Sequence, residues 1–167
     1  MKKICLTLLA IVCAGILFTG CSKDNNVTEV NNAYSIFAKA SPSDWQLSSD
    51  GLSMEYVIDA SNVPNGFVFN TDGVLIYMSG TNDDNSSYYP LPTTTFNFDG
   101  FDFNYHLENN TIVIDATLSN GNPLTNSTKP STDLYFNVIF VQPKDISAAN
   151  SIKDDYNAVK AAFHLSK

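Results

Sequence analysis

The chain has 167 residues, of which 44% are hydrophobic and 12% aromatic, a composition that allows a folded core. Its nine basic residues are all lysines and stand against 17 acids, which gives a net charge of −8 at pH 7. This negative field repels phosphates, and the lack of arginine removes the planar group that binds them best, so the composition argues against nucleic-acid binding.

The first 21 residues have the layout of a secretory signal peptide. Lys2 and Lys3 form a basic start, residues 4–18 are an almost uninterrupted apolar run, and small residues lead into Cys21. The alternative is an uncleaved transmembrane helix, although the run is shorter than the roughly 18–20 apolar residues that span a bilayer.

The end of this segment, Thr19-Gly20-Cys21, resembles the lipobox of bacterial lipoproteins, with Phe18 in place of the usual leucine. The resemblance implies cleavage between Gly20 and Cys21 and acylation of Cys21 by fatty acids such as palmitate. Two or more acyl chains hold a protein stably in a bilayer. We therefore expect a protein that is anchored to the outer membrane by lipid alone.

Removal of residues 1–20 changes the composition of what remains. The mature chain has 147 residues, which suits one domain, and its seven lysines against 17 acids give a net charge of −10. Cys5 and Cys13 leave with the signal peptide, so a lipidated Cys21 leaves no thiol for a disulfide. We expect a single domain over residues 34–167 that is held together by its core.

Residues 21–33 are predicted to be a flexible tether, because they are polar and contain two isolated valines and no aromatic ring. Their start, Ser22-Lys23-Asp24, partly resembles the acidic export signal of surface-exposed Bacteroidetes lipoproteins. That resemblance implies display on the cell surface, while the side of the outer membrane that the domain faces stays open.

From residue 34 to residue 141 the hydrophobic pattern has a period of two, which is typical of strands. The apolar residues at 52, 54, 56 and 58 are expected on one face of a strand whose other face is mostly polar. Residues 74–78 and most of 134–141 are apolar on both sides and predict central strands. Frequent Gly, Asn, Asp and Pro clusters separate these runs. We predict a mainly β fold, an antiparallel β-sandwich with one C-terminal α-helix.

The strongest local prediction is a three-stranded meander over residues 94–118. Asp99-Gly100 and Asn109-Asn110 both suit two-residue turns, which require positive φ angles. The first turn pairs Phe98 with Phe101 and Phe96 with Phe103. The second turn pairs Leu107 with Ile112, Tyr105 with Ile114 and Phe103 with Ala116. One register satisfies both turns and keeps the apolar residues on one face.

Near the end of the chain the spacing becomes helical. Apolar residues at 152, 156, 159 and 163 predict one amphipathic helix over about residues 152–164, which packs on the sheet or across an open end. Ser151 and Asp154 resemble a capping box at its start. His164 is expected in its last turn, where a positive charge favours the helix dipole.

No catalytic, metal or cofactor signature is present in the sequence. His106 and His164 have no partner pattern, and His106 is expected on the polar side of the meander. Glu55 and Glu108 fall at solvated sheet positions. Asp83 and Asp84, within the Asn-Asp-Asp-Asn run at 82–85, offer oxygens to calcium without EF-hand spacing. We predict no catalytic residue, no cofactor and no bound metal.

The candidate ligand-binding residues are aromatic. Tyr88 and Tyr89 precede Pro90-Leu91-Pro92, which predicts a loop or edge strand. Adjacent strand residues point to opposite sides, so at least one ring can face outward and stack on a sugar or anchor a protein partner. Trp45 is the third candidate. Packing in the protein interior is the alternative for these rings.

Several segments together resemble a group of small Bacteroidetes lipoproteins that has no established activity. They are Val74-Leu75-Ile76-Tyr77, Tyr89-Pro90-Leu91-Pro92, the aromatic meander, Phe136-Asn137-Val138-Ile139 and the segment at 155–160. The resemblance implies an envelope location and a β fold, and it implies nothing about mechanism.

We expect a lipid-anchored, non-enzymatic binding or assembly module of the cell envelope, whose partner is a surface glycan or another envelope protein. Its oligomeric state stays open. The alternative is a hydrolase with a carboxylate site, which a deep pocket collecting several of Asp83, Asp84, Glu55, Glu108 and His106 would favour. An exposed surface that includes Trp45, Tyr88 and Tyr89 would favour binding.

Overall fold

The computed structural model describes residues 33–67, 69–71, 73–82 and 87–165. The predicted signal peptide, Cys21, almost all of the tether, and Asp83 and Asp84 lie outside these residues. Within them, no helix has the length and hydrophobicity that crossing a membrane requires.

The described residues form nine strands and two short α-helices. The strands are β1 (Ala33–Ala40), β2 (Gln46–Leu47), β3 (Met54–Asp59), β4 (Val74–Ser79), β5 (Tyr89–Pro90), β6 (Thr93–Phe98), β7 (Phe101–Glu108), β8 (Thr111–Leu118) and β9 (Leu134–Val141). The helices are α1 (Ile146–Ile152) and α2 (Tyr156–Ala162). One antiparallel sheet has the order β1-β9-β4-β5 and the other the order β2-β3-β8-β7-β6. The predicted antiparallel β-sandwich with a helical C-terminus is confirmed.

The main core lies between the two sheets. Phe103 from β7 and Phe136 from β9 are almost completely buried there, together with Met54 and Ile112. Tyr56 stacks on Phe136 with ring centroids 5.9 Å apart. Burial of each large apolar side chain contributes about 1.5–3 kcal/mol, which makes this layer the main source of stability.

The two predicted central strands are the most deeply buried ones. All six residues of β4 are buried, and β9 pairs with β1 on one side and with β4 on the other. Both strands are apolar on both faces because the opposite sheet covers one face and the C-terminal helices cover much of the other.

The meander is present with one correction. Asp99 and Gly100 have φ angles of +59° and +85°, Asn109 and Asn110 also have positive φ, and all three pairs predicted for the second turn are formed. Phe98 pairs with Phe101, but the partner of Phe103 is Thr93 and not Phe96. The register shifts within β6 because this strand lies at the edge of its sheet, where one-sided pairing tolerates a bulge.

The strand predicted from residue 52 begins at Met54. Met54 and Ile58 are buried and Tyr56 packs against the core, as the alternation predicts, but Leu52 is 65% exposed. Asp50 explains the difference, because its carboxylate accepts the backbone N–H of Leu52 at 3.0 Å and so holds that residue in a turn.

The helix predicted over residues 152–164 corresponds to α2, which begins four residues later, at Tyr156. The sequence pattern did not predict α1, and the cap of α2 differs from the prediction. Asp155, not Ser151, is the N-cap of α2, and its carboxylate accepts the backbone N–H of Ala158 at 3.0 Å. His164 lies just past α2 with a φ of +51°. The backbone N–H of Leu165 donates to the carbonyl of Lys160 at 3.0 Å, which completes a Schellman-type end around His164.

Candidate functional site

The C-terminal helices cover one end of the outer face of the four-stranded sheet. Residues of β4 and β9 that point away from the sandwich, such as Leu75, Ile139 and Val141, form a second buried cluster with Val159 and Phe163 of α2. The other end of this face carries the cross-strand row Lys39–Tyr135–Ser79. Tyr135 in this row does not belong to the cluster that the helices cover.

Tyr156, the first residue of α2, forms the boundary between the covered and the open part of the face. Its ring lies 5.0 Å from that of Tyr77 and stacks on Tyr88 at 4.5 Å, measured between centroids. Its hydroxyl accepts a hydrogen bond from Nδ2 of the fully buried Asn137 at 2.8 Å. These contacts make a rigid wall of aromatic rings beside the open end of the sheet.

A groove of about 170 Å³ lies at the open end of this face. We call it the aromatic groove. Its main lining residues are Phe37, Lys39, Asn82, Tyr88 and Tyr135. Phe37 is 40% exposed, Tyr135 is half-buried and Tyr88 is buried at one side. The groove therefore offers aromatic surface from two strands and from the segment before β5.

An ion pair borders the aromatic groove. Lys39 Nζ lies 2.7 Å from Asp133 Oδ2, and both side chains are partly exposed. The hydrogen bond between them raises the pKa of the Lys39 ammonium and lowers the pKa of the Asp133 carboxyl. Both groups are thus charged at neutral pH, and a hydrogen-bond donor and an acceptor stand side by side. Lys39 lines the aromatic groove together with Phe37, and Asp133 lies on the far side of Lys39, outside the lining.

The three aromatic residues predicted to bind a ligand are not brought together. Trp45 is 4% exposed and packs against Tyr56 and Phe103 in the main core. Tyr88 is buried against Tyr156 and lines the aromatic groove, whereas Tyr89 pairs with Met78 and shares its face, the opposite side of the sheet. The packing alternative describes Trp45, and an exposed surface that includes all three rings, the arrangement that would favour binding, is not formed.

Sequence reasoning missed Phe37 and Tyr135. In β1 the residues Tyr34, Ile36 and Ala38 face the main core, so Phe37 lies on the other face of the strand, next to the polar Lys39. The sequence signal that could have identified Phe37 is an aromatic residue on the polar face of an amphipathic strand.

A second, larger cleft of about 280 Å³ lies between the edge of β4, the Pro90–Pro92 segment and the end of α1. Tyr77 contributes to it and donates from its hydroxyl to the carbonyl of Lys153 at 2.7 Å. Burial, with a smaller effect of Asp154, raises the pKa of the Tyr77 phenol far above its ordinary value. This hydroxyl is a structural donor and does not ionise at physiological pH.

Of the residues named for a hydrolase, the three that the structure describes lie on the outer face of the five-stranded sheet. His106 is exposed, pairs with Val113 as predicted, and places Nδ1 2.8 Å from Asp115 Oδ2. Glu55 is the cross-strand partner of Asp115, and Glu108 lies at the end of β7. Glu55 lines a depression of about 170 Å³ that includes neither His106 nor Glu108. The sheet brings these groups onto one open surface and does not enclose them.

Within the described part of the chain, no three His, Cys, Asp or Glu residues are grouped so that they could hold a metal ion. Comparisons of the chain with models of protein families, with curated proteins and with solved structures find no match.

Proposed function

We propose that this chain is a lipid-anchored protein of the cell envelope, attached to the outer membrane through Cys21, and that it works as a non-enzymatic binding module. Its folded domain carries the aromatic groove as the binding site for an envelope partner. The anchor and the site are supported by separate observations and are tested separately.

The anchor is supported by the N-terminal pattern. A basic start, an apolar run over residues 4–18 and Thr19-Gly20-Cys21 follow one another in the order that export and lipidation require. The first strand that the structure describes is β1, which begins at Ala33, so residues 22–32 lie between Cys21 and the sandwich in the sequence.

The binding role rests on one observation, the exposed ring of Phe37 in a groove that also contains Tyr135 and Tyr88. Phe, Tyr and Trp dominate the energetics of binding surfaces because each ring buries a large area. The open position of His106, Glu55 and Glu108 supports a role without catalysis, because catalytic groups usually act in a site that excludes water.

The anchor is tested by Cys21→Ser. Thioether formation requires the thiol, so we expect this variant to incorporate no radiolabelled palmitate and to leave the membrane fraction. Ser22→Ala is the matched control, and it should be labelled like the wild type. Label on the Cys21→Ser protein would refute the lipid anchor.

The site is tested by capture of envelope components on the full chain in detergent. Phe37→Ser should lose the captured component, whereas Val57→Ser should retain it, since Val57 is 55% exposed on the other sheet. If Phe37→Ser still captures the component, the binding site lies outside the aromatic groove. Breakdown of a captured glycan that depends on Glu55 or His106 would favour the hydrolase.

A further inference from the structure

We infer that the ligand of the aromatic groove is a neutral carbohydrate, whose apolar face stacks on Phe37 and whose neighbouring hydroxyls bind the Lys39–Asp133 pair. This inference rests on the proposed function and names the class of its ligand. Three features of the groove lead to it.

The first feature is the position of the exposed ring. The large hydrophobic side chains that are exposed in the described residues are Phe37, Leu52 and Val57, and Phe37 is the aromatic one. Phe37 lies next to Lys39 along β1 and diagonal to Tyr135 on β9, so a ligand on this ring also meets polar groups. A sugar ring likewise combines an apolar surface, the C–H groups on its faces, with polar groups, the hydroxyls at its rim.

The second feature is the ion pair. Lys39 Nζ and Asp133 Oδ2 are 2.7 Å apart, and their side chains are 50% and 39% exposed. An ammonium only donates hydrogen bonds and a carboxylate only accepts them. Two adjacent hydroxyls of a sugar satisfy both at once, because one accepts from Lys39 and the other donates to Asp133. Charge-assisted hydrogen bonds of this kind are stronger than those between neutral groups.

The third feature is the charge balance. Asp133 neutralises Lys39, the other described residues that line the groove are uncharged, and the mature chain carries a net charge of −10. An acidic polysaccharide would meet no unpaired cation in the groove and would be repelled by the protein as a whole. These charges favour a neutral glycan over an acidic one.

The inference is tested by affinity electrophoresis of the full chain in a polyoxyethylene detergent, which has no sugar head group. The gels contain laminarin, mannan or xyloglucan as neutral polysaccharides and polygalacturonate as the acidic one. We expect at least one neutral polysaccharide to retard the wild type, with an apparent Kd that changes less than twofold between 50 and 500 mM salt.

The variants locate the binding. Phe37→Ser should weaken retardation at least tenfold, and Asp133→Asn should weaken it several-fold, while Val57→Ser should migrate like the wild type. Circular dichroism checks that each variant is folded. No retardation by any neutral polysaccharide, retardation by polygalacturonate alone, or unchanged retardation of Phe37→Ser would overturn the inference.

The capture experiment distinguishes this failure from failure of the proposed function. If no neutral glycan binds but an envelope protein is captured through Phe37, the glycan is wrong and the binding module stands. If neither is bound through Phe37, both proposals are wrong.

Discussion

Gly100 occupies the second position of the β6–β7 turn with a φ of +85°, and a Cβ built on it meets no atom within 4 Å. A substitution there is therefore strained by its backbone conformation and not by a clash. We expect Gly100→Val to lower the free energy of unfolding by about 1–3 kcal/mol, measured by urea denaturation. Gly100→Asn should lose less, because asparagine tolerates positive φ. An unchanged midpoint for Gly100→Val would contradict this account of the turn.

Asp99, the first residue of the same turn, is tied to a distant loop. The hydroxyl and the backbone N–H of Ser131 both donate to its Oδ2, the latter at 2.9 Å, and these bonds lower the pKa of the Asp99 carboxyl. A lowered pKa in the folded state stabilises the fold above the unfolded-state pKa of about 3.9. This stabilisation is lost as the pH falls through the folded-state pKa.

Asp99→Asn tests this linkage while it keeps a residue that accepts positive φ. We expect it to lower the free energy of unfolding at pH 7 by about 0.5–1 kcal/mol, a small effect because the bonds are exposed. The difference from the wild type should shrink between pH 7 and pH 3 in urea titrations. A difference that stays constant over this range would show that the charge of Asp99 makes no contribution.

At the scale of elements, the end of α2 shows a conflict between local preference and fold. His164 adopts a φ of +51° at the position where glycine is preferred after a helix, because the 165→160 hydrogen bond closes the helix end there. A non-glycine side chain in this conformation costs about 1–2 kcal/mol. Glycine avoids this cost, but part of the gain is lost because glycine has more conformational freedom in the unfolded chain.

We therefore expect His164→Gly to raise the free energy of unfolding by about 0.5–1 kcal/mol, measured by thermal or urea denaturation. His164→Ala is the control, since it removes the imidazole and keeps the strained backbone, and it should give no comparable gain. Equal stability of the glycine and alanine variants would exclude backbone strain as the cause.

At the scale of the whole molecule, stability comes from the layer between the sheets. Phe136 is fully buried there and stacks on Tyr56. We expect Phe136→Ala to lower the free energy of unfolding by about 3–5 kcal/mol, because it removes apolar burial and leaves a cavity. Val57→Ala, at a position 55% exposed on the outer face, should change it by less than about 0.5 kcal/mol. Similar effects of the two variants in urea denaturation would contradict the assignment of the core.

The candidate site could be predicted from the sequence only in part. Tyr89 does lie in an edge strand, β5, and Tyr88 borders the aromatic groove, but the sequence could not say which ring is covered. Tyr88 is buried because Tyr156, distant in the chain, stacks on it. Phe37 is exposed and does not belong to the cluster that the helices cover. Which rings are covered therefore depends on how α2 packs on the sheet.

The sequence by itself determined the features that act between near neighbours. Period-two alternation predicted the strands, and residues that tolerate positive φ predicted both turns of the meander and the whole register of its second hairpin. The tertiary structure alone decided the shift within β6, the additional helix α1 and the residues that line the aromatic groove. The Asn137–Tyr156 and Tyr77–Lys153 hydrogen bonds join positions 19 and 76 residues apart. Contacts at such separations exist only once the sheet has formed, so no local pattern encodes which side chains they bury.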